Sequence, residues 1–296
     1  MWWSWVACTG EGTEELPPDQ DGLRVEEWVF VDGSRETPAL GELAAAPDRT
    51  LRTRVWIGPA TGEEAVTRPL LVVAHGFDGA PEKFEAFATD LANAGLVVAA
   101  PAFPVTTFGS GAGVLGAADL ENQPADLAFV LDALLAEAEA PRSPLWRRFD
   151  PDAVATLGHS LGGATVLGWT RFDDPDPRVK AVATLSPAVP LTSVFGVGPS
   201  ADGPPILLAH GIDDETLDWR ISVDLYGELA DPVWLLGLTG AGHSDPIESQ
   251  EVPALPPRAA LQDAVLALVA EVLEGEPGAV GEVLGALSAA GNETSP

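Results

Sequence analysis

The run Leu70-Leu71-Val72-Val73-Ala74 contains no polar residue. A strand apolar on both sides must be covered on both faces, and a parallel sheet flanked by helices is what covers it. The segments around it obey the same logic. A helix is expected over Pro81–Asn93, with Phe84, Phe87, Ala88 and Leu91 on one stripe and Gly95 closing it. Strand Leu96–Ala100 follows, then a glycine-rich loop and a helix near Pro124–Ala138. Strand Ala153–Leu157, a helix to about Arg171 and strand Val179–Leu185 come next. Strand Ile206–Ala209, a helix near Leu217–Leu229, strand Val233–Leu238 and a helix near Arg258–Leu273 complete the alternation. Ahead of these, Val25–Val31 and Thr50–Ile57 alternate polar and apolar residues, as strands near a sheet edge do. Repeated strand–helix units predict an α/β chain with a doubly wound, mostly parallel sheet.

Three segments are expected: an N-terminal piece and linker over 1–22, one α/β domain over 23–275 and a frayed C-terminal tail over 276–296. No uninterrupted apolar run reaches the roughly 18 residues of a membrane span. The longest candidate, Ala94 to Val105, is short and carries two prolines. The net charge of −30 repels nucleic acid and anionic membrane faces, so neither is an expected partner. A monomer acting on a small molecule is expected. Cys8, the single cysteine, ends an apolar start, Met1-Trp2-Trp3-Ser4-Trp5-Val6-Ala7, and an acidic, proline-bearing stretch follows it. That arrangement resembles the end of a bacterial lipoprotein signal. It implies an envelope location with Cys8 as the lipid anchor, although the apolar part is short and no basic residue precedes it. A cytoplasmic protein is the alternative.

Chemistry enters at Gly158-His159-Ser160-Leu161-Gly162-Gly163, a G-x-S-x-G sequence between a strand and a helix. A serine there sits on a sharp turn, and glycines flank it because side chains would clash. Such a nucleophile needs a base and an acid, and in the folds that carry this strand–serine–helix motif the acid and then the histidine follow the serine in the chain. Only His210 and His243 follow Ser160, and His243 lies in Gly240-Ala241-Gly242-His243 directly after an apolar strand. That loop falls at the carboxyl edge of the sheet, where ligands bind in open α/β folds. His210-Gly211-Ile212-Asp213-Asp214-Glu215 offers three acids; its His-Gly-x-x-Asp pattern resembles the acid loop of the family named below, which implies Asp214 as the partner, with Asp213 as the alternative. The loop Ala74-His75-Gly76-Phe77-Asp78-Gly79 follows the first buried strand. The N–H groups of Phe77 and Leu161 are the candidate oxyanion donors. His75 reads as a histidine that holds its turn together. Phe77, Phe103 and Val189 are candidate substrate-binding residues by loop position. No metal-ligand cluster is present in the sequence, and no metal or cofactor is expected.

From about Leu70 to Leu273 the chain resembles the α/β-hydrolase family. Within it, the likeness is to dienelactone-hydrolase-like esterases, including the platelet-activating-factor acetylhydrolase, chlorophyllase and cutinase-like polyester hydrolase groups. The likeness rests on the serine motif, Val73-Ala74-His75-Gly76-Phe77, Ala99-Ala100-Pro101-Ala102-Phe103-Pro104 and Asn122-Gln123-Pro124-Ala125-Asp126-Leu127. It implies a serine hydrolase that cleaves carboxylic esters with Ser160, His243 and Asp214. A thioesterase or polyester hydrolase on the same residues is the alternative, as is a non-catalytic binding protein on that fold. Polyester hydrolases carry a tryptophan after the strand that follows the serine helix. Leu185-Ser186-Pro187-Ala188-Val189 has none. The stretch between Leu185 and Ile206 reads as loop, so no large cap domain and an open site are expected.

Overall fold

The computed structural model describes residues 22–59, 68–171, 175–188, 203–248 and 255–295. Cys8 and Val189 lie outside these residues, as does much of the connection where a lid would be inserted. Nine strands form one sheet in the order β1-β2-β4-β3-β5-β6-β7-β8-β9. β1 (Arg24–Asp32) and β2 (Arg49–Ile57) run antiparallel at one edge, and β2 is antiparallel to β4. β3 (Arg68–Ala74), β4 (Val97–Pro101), β5 (Phe149–His159), β6 (Val179–Leu185), β7 (Ile206–Gly211) and β8 (Val233–Leu238) are parallel. The outer face of β1 carries the exposed Val25, Val29 and Val31, consistent with its edge position.

The fully buried β3 shows why its sequence is apolar throughout. Leu70, Val72 and Ala74 enter one core and Leu71 and Val73 the other. The first core is closed by α2 (Gln123–Glu139), α3 (Leu161–Arg171) and α4 (Arg220–Glu228), through residues such as Leu127, Leu131, Leu167 and Leu225. The second is closed by α1 (Glu85–Asn93) and by a long helix, Pro256–Leu273, through Phe87, Leu91, Leu261 and Val265. A one-turn helix, α5 (Asp245–Glu248), precedes that long helix, which is therefore α6. Helices on both faces make the sheet doubly wound, and the described residues contain no large cap.

Two segments depart from expectation. The glycine-rich loop before α2 contains a 3-10 helix over Gly113–Asn122. Residues 276–296, expected as a frayed tail, contain α7 (Ala279–Ala289), whose Val280 and Leu284 are buried against α6. β9 (Glu293–Ser295) then pairs antiparallel with β8 and covers that edge. The apolar stripe Val280, Val283, Leu284, Leu287 has helical spacing, but glycines and alanines between its members thin the signal.

α2 is tied to the sheet by charge as well as by packing. The Arg49 guanidinium, with zero side-chain exposure, forms paired bonds to Asp126 and Asp119 at 2.6 to 3.1 Å. Both carboxylates are equally buried. Forked geometry satisfies all three guanidinium nitrogens and all four carboxylate oxygens at once, which is what makes such a burial tolerable.

Candidate active site

Ser160 follows β5 directly and has φ 55°, in the left-handed region that a non-glycine residue adopts only when its surroundings enforce it. The surroundings are close. A Cβ on Gly158 would lie 2.1 Å from the Gly162 carbonyl oxygen, and one on Gly162 would lie 2.2 Å from that of Ala74. Only glycine lets the strand, the turn and the helix meet at these distances. The Ser160 N–H bonds the Leu185 carbonyl at 2.9 Å, so the turn is also fixed to β6.

The loops after β7 and β8 are zipped together. The N–H of Ile212 bonds the Leu238 carbonyl and that of Asp213 bonds the Ala241 carbonyl, each at 3.0 Å. Gly211 permits this, since a Cβ there would lie 2.5 Å from the Ala241 oxygen. Asp214 is thereby brought to His243, and the His243 Nδ1–H donates to Asp214 Oδ2 at 2.7 Å. With Nδ1 protonated, Nε2 keeps its lone pair. The Asp214 side chain has zero exposure and that of His243 has 17%, whereas Asp213 is exposed. Burial by itself would raise the Asp214 pKa. It is outweighed by the Leu217 N–H, the His243 imidazole, the Ser186 hydroxyl and the Thr216 N–H, and the carboxyl stays below its ordinary value. The backbone bonds are 2.8 Å each. The Ser186 hydroxyl is nearby but outside good hydrogen-bond geometry.

Among the described residues, neither the N–H of Phe77 nor that of Leu161 has a protein acceptor. Leu161 opens α3, where N–H groups are free by construction. Phe77 lies in a tight turn closed by a Gly79 N–H bond to the Gly76 carbonyl at 3.0 Å. A Cβ on Gly76 would lie 2.8 Å from the Ser160 Cβ, so this turn passes directly over the serine.

No family model matches the chain, and none of the curated proteins does. Among solved structures it is similar to the ferulic acid esterase from Streptomyces cinnamoneus, at 21% identity and a TM-score of 0.63. The match covers 88% of this chain and 93% of that one. The fold is the α/β-hydrolase fold.

In this hydrolase fold, the remaining three of the four histidines brace the same edge of the sheet. His75 is buried, donates from Nδ1 to the Gly76 carbonyl at 2.7 Å and accepts the Phe103 N–H on Nε2 at 3.0 Å. It therefore ties the Phe77 turn to the segment after β4 and must stay neutral. Burial, partly offset by the bond to Gly76, lowers its pKa to about 4. His210 donates from Nε2 to the Leu217 carbonyl at 2.9 Å, faces Asp214 Oδ2 at 3.4 Å and accepts the Ser222 hydroxyl on Nδ1 at 2.8 Å. His159 crosses to the His243 carbonyl at 3.0 Å. Burial, followed by the His243 charge, lowers its pKa to about 3.

Of the residues expected to meet substrate, Phe77 is half-exposed above the turn. Phe103 is a correction: its side chain is fully buried, packed on His75 with ring centroids 4.9 Å apart. It follows a strand end at a loop position open to the site, but its ring turns inward and fills the first core. Val189 lies outside the described residues. Phe108, 73% exposed, bonds the Gly79 carbonyl through its N–H at 2.8 Å and so stands next to the Phe77 turn. No group of three or more His, Cys, Asp and Glu among the described residues could hold a metal. No helix among them is long and apolar enough to cross a membrane.

Proposed function

We propose that the protein is a serine hydrolase that cleaves carboxylic esters through an acyl-enzyme. The observation that carries this reading is the buried Asp214–His243 hydrogen bond, which leaves Nε2 basic at the edge where Ser160 occupies its strained turn. His243 takes the Ser160 proton as Oγ attacks the acyl carbon. Asp214 keeps the imidazole in the required tautomer and stabilises its cation. The N–H groups of Phe77 and Leu161 receive the oxyanion. As the tetrahedral centre collapses, the bond to the alcohol breaks and His243 returns the proton to the leaving oxygen. Water then attacks the acyl-enzyme with His243 as base, releasing the acid and restoring Ser160. The half-exposed Phe77 is proposed to wall the acyl side.

The resemblance to dienelactone-hydrolase-like esterases supports the ester class, and a ferulic acid esterase with this fold adds a feruloyl ester to the substrates worth testing. The test combines p-nitrophenyl esters of rising acyl length, a feruloyl ester and an acyl thioester with fluorophosphonate labelling of Ser160. Turnover and labelling should both be lost in Ser160→Ala, by about three orders of magnitude or more in turnover. An unlabelled wild type, or full turnover in that variant, would sink the reading. Faster turnover of the thioester than of every oxygen ester would move the protein to the thioesterases.

A further inference from the structure

His243 sits on the loop after β8, whose first residues are held by Thr239 bonds to Gly291 and Asn292 and by the Asp213 N–H bond to the Ala241 carbonyl. Gly240, at φ 76°, and Gly242 precede it, the Gly242 N–H bonds Asp245 Oδ2 at 2.8 Å, and among the described residues no backbone N–H bonds the His243 carbonyl. Its imidazole is anchored by Asp214. Its main chain is anchored by a single side chain, that of His159. The His159 Nε2 is 3.0 Å from the His243 carbonyl oxygen. Because that oxygen can only accept, Nε2 carries the proton. The two rings also pack, with centroids 4.7 Å apart and planes inclined at 51°. On its other edge His159 abuts the Phe77 turn: a Cβ on Gly76 would lie 3.3 Å from its Nδ1. The ring is 6% exposed, so a substrate reaches little of it.

We infer that His159 is a positioning residue for His243. Its N–H pins the carbonyl of the base, and its ring supports the base imidazole, from the residue adjacent to the nucleophile. The inference rests on the reading of Ser160, His243 and Asp214 as the catalytic set. Its logic is geometric. Ser160 and His243 belong to different loops, and proton transfer between them needs both within a few tenths of an ångström of one arrangement. A link from the serine's own neighbour to the histidine's own peptide makes the two loops move as one body. An N–H donor is required for this at position 159, and a ring of the same shape without one does not suffice.

The experiment compares His159→Phe, which keeps a flat ring and loses the donor, with His159→Gln, whose amide N–H extends about as far as Nε2. In the full-length protein, kcat, KM, the second-order rate of fluorophosphonate labelling and the thermal midpoint are measured. For His159→Phe we expect kcat to fall about ten- to a hundredfold, with KM changed less than about threefold and labelling slowed in parallel with kcat. His159→Gln should recover most of both rates. A kcat for His159→Phe within about twofold of wild type, a change confined to KM, or a Gln variant no faster than Phe overturns the inference. Should the Phe variant not fold, His159→Asn takes its place, since its shorter amide stops short of the carbonyl. Equal rates for Asn and Gln then overturn it. A failure of the underlying reading looks different: the wild type itself would resist labelling, or Ser160→Ala would remain active.

Discussion

Asp213 and Asp214 are neighbours in the chain and stand in opposite surroundings. One is exposed; the other is buried with three hydrogen bonds on its two oxygens. Asp214→Asn keeps the shape, removes the charge and can offer an N–H where His243 needs an acceptor. We expect kcat/KM to fall at least about a hundredfold, against less than about tenfold for Asp213→Asn. Steady-state kinetics on one soluble ester checks both, and the reverse ranking would place the acid one residue earlier. At the same scale, the buried histidines predict acid sensitivity. His75 and His159 titrate at about 4 and about 3 in the folded protein, and near 6.5 once unfolded. As pH falls below 6.5 the unfolded chain binds protons that the folded chain refuses, so stability drops down to the folded values. His210, also lowered, acts in the same direction. Urea melts should lose on the order of 3–5 kcal/mol between pH 7.5 and 4.5. High salt, which screens the carboxylate surface, isolates this contribution. A flat profile there would contradict the neutral, buried state of these rings.

Elements differ in how plainly their sequences announce them. The parallel strands were legible because burial on both faces leaves no room for polar residues, as Leu70–Ala74 shows. The pairing of Asp214 with His243 was legible because each lies on a short, glycine-bearing loop after a neighbouring buried strand. The 3-10 helix over Gly113–Asn122 was hidden, since its turns lack a 3.6-residue period. The inward turn of Phe103 and the reach of His159 were hidden too. Each depends on contacts between segments distant in the chain, 84 residues apart for His159 and His243. α7 is the instructive miss, because its stripe has the right spacing and only its diluted hydrophobicity concealed it. Truncation after Gly275 removes α7 and β9 together, uncovers the α6 face that Val280 and Leu284 cover, and leaves β8 as a bare edge. We expect a loss of about 3–5 kcal/mol in stability from the two side chains alone. Thermal melting checks it, and an unchanged midpoint would show that the pair adds nothing. Because the lost Gly291 and Asn292 also bond Thr239, at the start of the loop that carries His243, activity per folded molecule at low temperature should fall as well.

Across the whole molecule, a net charge of −30 sets a field that every substrate crosses. An ester bearing a carboxylate should meet this protein more slowly than its neutral isostere at low ionic strength. Raising salt from about 0.01 M to 0.15 M shortens the Debye length from about 30 Å to about 8 Å. The kcat/KM of the anionic ester should rise over that range while the neutral one stays level. Parallel salt responses for the two esters would indicate that the field at the site differs from that of the surface. The sheet order has a further consequence for anyone who wishes to re-engineer the chain. β1 and β9 are the two opposite edges of a nine-stranded sheet. Eight inter-strand steps of about 4.8 Å place them roughly 40 Å apart. A circular permutation that links the end of β9 to the start of β1 therefore has to span this distance with at least about a dozen extended residues between Ser295 and Arg24. A shorter connector would draw β9 off β8 before it closed the gap. New ends fit better in exposed surface turns on the face of the sheet away from Ser160, where cutting the chain separates none of the paired loops that hold His243.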